Sequence, residues 1–524
     1  MTQFDGARPF QVEAKDRAET PAIPKAETPQ RTFLIDLAAN LKGKGYAYGA
    51  MPKAQELREL AGLTRDNNTR VIVQAINPDT KMLQRYVMHD GQIDEMKPVK
   101  SKGINADIKN LISMAPKDGE LSLVIQSHGD GPAGLDGDKG TTNLAKLKQS
   151  IQQGLTAVGR DKLDLLSLDS CLMGSAAPVD ALSGVARGIL ASENSEAAGG
   201  HGQDGQPLGA IMKGVLAHPT ETPTQVAQRF VATSAEVCQT GIAGGAVAEC
   251  GTDTLFHYNT EAAGQFRTAL SNFGNALRAS LSDPGNRVAI ESAIKATTDA
   301  SLEGDQSNQL RDLSQFAGNI LQAINGDGRI HDTADGALAK AAQGIIDAQK
   351  ALVDNGFSRL DQHGLSVFLP SEDFSTPQNL ATSVVNASID AARKSTSAIL
   401  GVADRLAKGE QPGDVMKTAF SEAIQPLDGA AGHLAINKDL GHLLGKIMKG
   451  GSEAPLPSEK DMRQLAALLS KAVTDTEKHK SEAIKDALHK APRILKGMYH
   501  DQMSYPQPGW DDFVRELRHL KPEK

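Results

Sequence analysis

Two short segments of this chain carry residue types suited to covalent catalysis. Ser127-His128-Gly129-Asp130-Gly131 follows the apolar run Leu121, Leu123, Val124 and Ile125. Asp169-Ser170-Cys171-Leu172-Met173-Gly174 follows Leu163, Leu165, Leu166 and Leu168. A thiol is only slightly ionised at neutral pH, and a nearby imidazole can remove or share its proton. Cys171 is therefore a candidate nucleophile and His128 its candidate acid–base partner. Glycine after the histidine lets backbone approach a substrate closely, which offers the Gly129 N–H to an oxyanion. A helix beginning just after Cys171 would add a favourable dipole for a thiolate. Each residue alone has a plainer reading, since a cysteine at a strand end is commonly a small packed hydrophobe and a His-Gly pair a turn. Their placement after two apolar runs, each before small residues, favours chemistry.

For thiol and imidazole to meet, the two apolar runs must be neighbouring strands. Val71, Ile72 and Val73 begin another strand, Leu83 to Met88 forms the next, and Ile189 with Leu190 marks one more. Ala106 to Met114 and Leu144 to Leu155 have helical spacing. Short apolar strands separated by helices predict an α/β fold, with a mostly parallel sheet flanked by helices on both faces. Ligands bind such open sheets at the carboxyl ends of the strands, where both reactive segments fall. From Thr224 the pattern is mostly helical, and Phe266, Leu270, Phe273, Leu277 and Leu281 recur on one helix face. Asp283-Pro284-Gly285 ends that helix with turn residues. Gly364 to Pro370 returns to strand character. Residues 375–495 read as Ala-rich helices, with breaks near Gln411-Pro412-Gly413 and Gly450 to Pro457. Within them, Ser458 with Asp461 resembles a helix start, and Leu465, Leu468, Leu469 and Val473 follow on one face.

Composition narrows the function classes. A chain of 524 residues exceeds the usual single-domain range, and a net charge of -8 argues against general affinity for nucleic acid or anionic membrane. No apolar run approaches the length of a bilayer span. The three cysteines, Cys171, Cys238 and Cys250, exclude a disulfide-dense scaffold and a four-cysteine zinc site. Cys238 and Cys250 could pair in an oxidising setting or stay reduced. Residues 1–31 lack hydrophobic periodicity and the apolar core of a secretory signal, and read as a disordered leader. The expected location is the cytoplasm, or outside the cell by a route without a classical signal peptide.

At the reactive segments the sequence resembles the clostripain family of cysteine peptidases, relatives of caspases, legumains and gingipains. Its His-Gly-x-Gly matches His128 to Gly131, its Asp-x-Cys-x-Met matches Asp169 to Met173, and its Ala-Ser-Glu matches Ala191-Ser192-Glu193. Asp312-Leu313 resembles its Asp-Leu helix motif, Gly364 to Pro370 its late strand, and Trp510-Asp511-Asp512-Phe513-Val514 its C-terminal Trp-Asp-x-Phe-Leu. The resemblance implies a caspase-like peptidase domain over 32–374, a helical insertion or subdomain of unknown role at 375–495, and a segment at 496–524 that closes the peptidase domain. It implies a polypeptide substrate cut after Arg or Lys by His128 and Cys171, with the imidazole mainly protonating the leaving amine.

The substrate-binding set carried over from the family is Asp169, Asp204, Ser192 and Glu193. Two carboxylates would pair with a guanidinium or ammonium. The family's usual Trp and Tyr near the second carboxylate appear here as Gln206 and Leu208. His201-Gly202 is a rival histidine in a Gly-rich stretch, for which a loop role near the pocket is expected. Family members are often activated by cleavage between histidine and cysteine, where Lys139, Lys146, Lys148 and Arg160 are the candidate sites. The reaction requires no cofactor, although some members bind calcium. Asn325-Gly326-Asp327-Gly328 has Ala323 and Ala334 where an EF-hand loop needs its first and last ligands, so it reads as a turn. Two other readings stay open: a catalytically silent interaction scaffold, and a cysteine-dependent amidase on the same sheet.

Overall fold

Alternation within each apolar run sorts side chains to opposite faces of one sheet. The computed structural model describes residues 30–37, 54–65, 68–77, 80, 82–137, 140–194, 196, 208–240, 254–298, 309–358, 362–401, 405 and 459–519. Its strands are β1 (Arg31–Asp36), β2 (Thr69–Ile76), β3 (Met82–His89), β4 (Gln92–Glu95), β5 (Val99–Lys100), β6 (Glu120–Gln126), β7 (His128–Gly129) and β8 (Leu135–Gly137). They continue with β9 (Gly140–Thr142), β10 (Leu163–Asp169), β11 (Ala186–Ala191), β12 (Thr254–Asn259), β13 (Leu310–Asp312), β14 (Val353–Ser358) and β15 (Ser366–Phe368). The main sheet has ten strands in the order β14-β12-β11-β10-β6-β1-β2-β3-β4, with β5 also paired to β3. From β11 to β2 all neighbours are parallel, while the margins are antiparallel.

Parallel neighbours require crossovers, and the crossover helices cover both faces. Phe33, Ile35, Val71, Val73, Val124 and Leu165 form one core with α1 (Ala54–Leu63), α5 (Leu208–Leu216) and α6 (Pro223–Thr240). On the other face Leu34, Ile72, Leu121, Leu123, Ile125, Leu166 and Leu168 join a larger core. That core takes in α2 (Ile104–Ile112), α3 (Leu144–Ala157), α4 (Ala176–Leu182), α7 (Ala263–Ser280), α8 (Pro284–Lys295), α9 (Leu313–Asn325) and α10 (Ala337–Leu352). It extends without a break into α11 (Pro377–Leu400), α12 (Glu459–Lys478), α13 (Lys480–Gln502) and α14 (Trp510–Leu517). Among the described residues no helix is long and apolar enough to cross a membrane.

Most expected elements appear, with informative departures. Arg31, placed by sequence in the leader, is the first residue of β1, a wholly buried central strand; residues 1–29 lie outside the described residues. Asp283-Pro284 does more than end α7. The Asp283 carboxylate accepts from the N–H groups of Gly285 at 2.7 Å and Asn286 at 3.3 Å, capping α8, with Pro284 in its first turn. The late strand spans only Ser366–Phe368 and pairs with β13 outside the main sheet. Leu465, Leu469 and Val473 are buried on α12 as their spacing requires, whereas Ser458 and the side chain of Asp461 lie outside the described residues, as do residues 406–458.

Candidate active site

The parallel pair β6 and β10 aligns Leu168 with Ile125 and Asp169 with Gln126, so both reactive segments leave the same edge of the sheet. The ladder extends one step further, where the Ser127 N–H donates to the Asp169 carbonyl at 3.1 Å. His128 and Gly129 then turn into β7, which pairs with β8 and separates the histidine loop from the main sheet. Gly129 lies directly on the nucleophile segment. A Cβ at this position would fall 2.2 Å from the Cys171 carbonyl oxygen and 3.0 Å from its nitrogen, so only glycine permits the approach.

Cys171 is half-buried and unbridged. Its Sγ lies 3.5 Å from the Glu196 carbonyl oxygen and 3.2 Å from the Glu196 nitrogen, whose N–H points to the sulfur. Burial pushes the thiol pKa up to about 12, with the negative charges of Glu196 and Asp169 acting in the same direction. In this arrangement the sulfur carries its proton at neutral pH. The helix expected directly after Cys171 does not start there: residues 171–174 form a turn and α4 begins only at Ala176. Leu172 occupies the left-handed region at φ 63° while its side chain is buried, a conformation that surrounding contacts must hold in place. Those contacts come from the segment after β11. The Leu172 N–H donates to the Asn194 carbonyl at 3.0 Å and the Gly174 N–H to the Ser192 carbonyl at 2.7 Å.

The remaining candidates separate by burial. Asp169 is only 2% exposed, and its Oδ2 accepts from the Gln126 side-chain amide at 2.8 Å. Ser192 and Glu193 were expected to touch substrate, but both side chains face the interior at 0% exposure. The Ser192 hydroxyl meets the Thr254 hydroxyl at 2.9 Å and donates to the Asn194 carbonyl at 3.0 Å. Glu193 Oε2 accepts from the Gly364 N–H at 2.7 Å. Asp204 and His201 lie outside the described residues, as does Lys139. Lys146 and Lys148 sit in α3, and Arg160 donates to the Pro116 carbonyl at 3.0 Å. Cys238 lies in α6 with its side chain undescribed, and Cys250 is outside the described residues. Among the described residues no three His, Cys, Asp or Glu side chains converge on a cation site.

The roles of five residues escaped the sequence reading. Glu196 meets the sulfur through its backbone N–H and carbonyl, which have no side-chain signature. Gln502 and Ser504 reach the histidine loop from the C-terminal region, donating to the Asp130 carbonyl at 3.4 Å and the Pro132 carbonyl at 3.1 Å. Asp312 and His363 lie behind Glu193; the motifs around them were visible, but not their convergence.

The clostripain family model matches residues 47–386, a span that includes both reactive segments and ends within α11. No curated protein matches the chain. Among solved structures, a secreted C11 cysteine protease from Bacteroides thetaiotaomicron, in complex with an irreversible peptide inhibitor, is 15% identical. That match covers 66% of this chain and 93% of the other, with a TM-score of 0.46. An inactive zymogen C11 protease from Parabacteroides distasonis is 16% identical over 66% of this chain and 94% of its own, with a TM-score of 0.45.

Proposed function

From the premise that this chain belongs to the clostripain family and is a cysteine-type endopeptidase, we propose that Cys171 is its nucleophile and His128 its acid–base partner. The observation that carries the assignment is the seating of Gly129 on the Cys171 backbone, which brings the histidine loop and the nucleophile turn to one edge. A thiol with its pKa pushed up to about 12 is not a standing thiolate. Its proton must leave as the sulfur–carbon bond forms, passing to the imidazole directly or through water. The carbonyl oxygen then becomes an oxyanion beside the Gly129 N–H. The imidazolium returns the proton to the leaving amine, the C–N bond breaks, and water hydrolyses the thioester to release acid and restore the thiol. No cofactor enters this sequence, and calcium has no assigned part in it.

Cleavage after Arg or Lys belongs to the same proposal, with Asp169 and Asp204 as the carboxylates that would meet the basic side chain. A guanidinium reaching Asp169 would share with Gln126 a carboxylate whose Oδ2 already accepts from the Gln126 amide, adding an ion pair to that hydrogen bond. Activation by cleavage at Lys139 is proposed for a physical reason: Lys146 and Lys148 lie in a helix, which does not offer an extended backbone to a peptidase.

The test uses fluorogenic peptides ending in Arg, Lys, Asp or Leu, with wild type, Cys171→Ala and His128→Ala. We expect turnover of the basic peptides and at least a ~1000-fold loss in either variant. Turnover surviving Cys171→Ala overturns the assignment, and preference for Asp or Leu overturns the basic pocket. Thiol-dependent hydrolysis of simple amides alone would favour the amidase. Absence of both turnover and Cys171 labelling by an activated-acyl probe would favour the silent scaffold. Self-cleavage persisting in pure Cys171→Ala protein would rule out autoprocessing.

A further inference from the structure

Three motifs that the catalytic proposal leaves without a task converge on one point behind the nucleophile turn. Ala191-Ser192-Glu193, Asp312-Leu313 and the His363-Gly364 start of the late strand lie far apart in sequence, yet Glu193 and Asp312 become buried neighbours beside Gly364. Both carboxyl side chains are at 0% exposure. Glu193 Oε2 accepts from the Gly364 N–H at 2.7 Å, while Oε1 has no hydrogen-bond partner. Asp312 accepts from the Gln315 N–H at 2.6 Å, capping α9, and from the His363 N–H at 2.6 Å. The His363 ring Nδ1 lies 3.2 Å from the same carboxylate, and this imidazole is 49% exposed. The Tyr258 hydroxyl donates to the Gly364 carbonyl at 2.5 Å and lies 3.4 Å from the Gly174 carbonyl.

We propose that Glu193 is a positioning residue for the nucleophile. With Asp312 it forms a buried two-carboxyl brace, in contact with solvent through the His363 imidazole, that fixes the 192–194 backbone from which Leu172 and Gly174 hang. The inference rests on Cys171 being the nucleophile. The brace acts through backbone: Ser192 and Asn194, one residue to either side of Glu193, supply the two carbonyls that hold the turn after Cys171. Leu172 is in the left-handed region, so a loosened turn would relax toward ordinary backbone angles and move the sulfur.

Among the described residues no Lys or Arg forms an ion pair with Glu193 or Asp312. The titratable groups facing Glu193 are Asp312 from the start of α9 and Tyr258 from β12, with His363 one step out on Asp312. Burial first and the Asp312 carboxylate second push the Glu193 pKa well above the ordinary carboxyl range, against a smaller opposing effect of the Gly364 N–H. The sign follows. A carboxyl whose folded pKa is raised favours the folded arrangement while protonated, and that support is lost as pH rises through the raised value. The brace is therefore firmest while Glu193 is protonated and weakens as pH rises through its raised value.

The test combines steady-state kinetics across pH with amide hydrogen exchange at Leu172 and Gly174 in Glu193→Ala and Glu193→Gln. Glu193→Ala should lower kcat about a hundredfold with KM changed less than about threefold, since a small misplacement of a reacting group has that effect. It should also strip protection from the two amides. Glu193→Gln keeps shape and neutrality, so it should retain kcat within about threefold and lose the fall in activity and protection that accompanies Glu193 ionisation as pH rises. Wild-type kcat, KM and amide protection in Glu193→Ala would overturn the brace. If that variant does not fold, an unchanged fall with rising pH in Glu193→Gln overturns it equally. Failure of the catalytic reading looks different: turnover would survive Cys171→Ala, while the exchange measurements still report on the brace.

Discussion

At the scale of the residue, the nucleophile candidate sits where burial raises its thiol pKa, to about 12. Burial and two neighbouring carboxylates act together on Cys171, and the Glu196 backbone occupies the space beside the sulfur. Alkylation by iodoacetamide proceeds through the thiolate. Its rate at Cys171 should therefore climb about tenfold per pH unit from pH 7 to pH 10, with no plateau. A rate already flat at neutral pH would reveal a standing thiolate–imidazolium pair and contradict the assigned protonation. Sequence made His128 and Cys171 legible because each follows an apolar strand run, and strand ends are where an α/β sheet presents chemistry. Glu193 and Asp312 were legible only as motif matches. Nothing in local pattern says that two acids far apart in the chain will be packed together in the interior.

At the scale of the element, the site depends on close backbone approach. Gly174 packs so tightly that a Cβ would fall 2.6 Å from the Tyr258 hydroxyl, 2.7 Å from the Glu193 nitrogen and 2.8 Å from the Ser192 carbonyl carbon. Gly129 is equally constrained against Cys171. Gly129→Ala should push β7 off the nucleophile turn and lower kcat about a hundredfold, with far-UV circular dichroism unchanged. Kinetics equal to wild type would show that the contact has no part in positioning. The parallel order of β6 and β10 followed from alternating strands and helices, and the main sheet assembles that way. β1 went unread because Phe33-Leu34-Ile35 is a short apolar core between polar residues, beside a leader-like stretch. Only pairing on both sides, with β2 and β6, identifies it as central. The turn in place of a helix after Cys171 was also beyond local pattern, since it is held by Ser192 and Asn194.

For the whole molecule, the C-terminal helices share one continuous core with the peptidase fold. Trp510, the sole tryptophan, is buried with its ring centroid 5.4 Å from Phe513, 6.1 Å from Phe273 and 6.2 Å from Phe316, and its indole N–H donates to the Phe368 carbonyl at 3.0 Å. Gly274 in α7 makes room for this docking, because a Cβ there would lie 2.5 Å from the Gly509 carbonyl carbon. Trp510→Ala should cost about 3–5 kcal/mol, read as a lower urea midpoint. An unchanged midpoint would mean that the C-terminal segment contributes nothing to the shared core. The family model matches up to residue 386, so most of this helical region lies beyond the matched span.

The hydrogen bonds from Gln502 and Ser504 to the histidine loop join groups 372 positions apart in the chain. A nascent polypeptide emerging from the ribosome presents Cys171 and His128 long before the residues that secure the latter have been translated. The histidine loop therefore gains this support only after residues 502–504 have been made and docked against it.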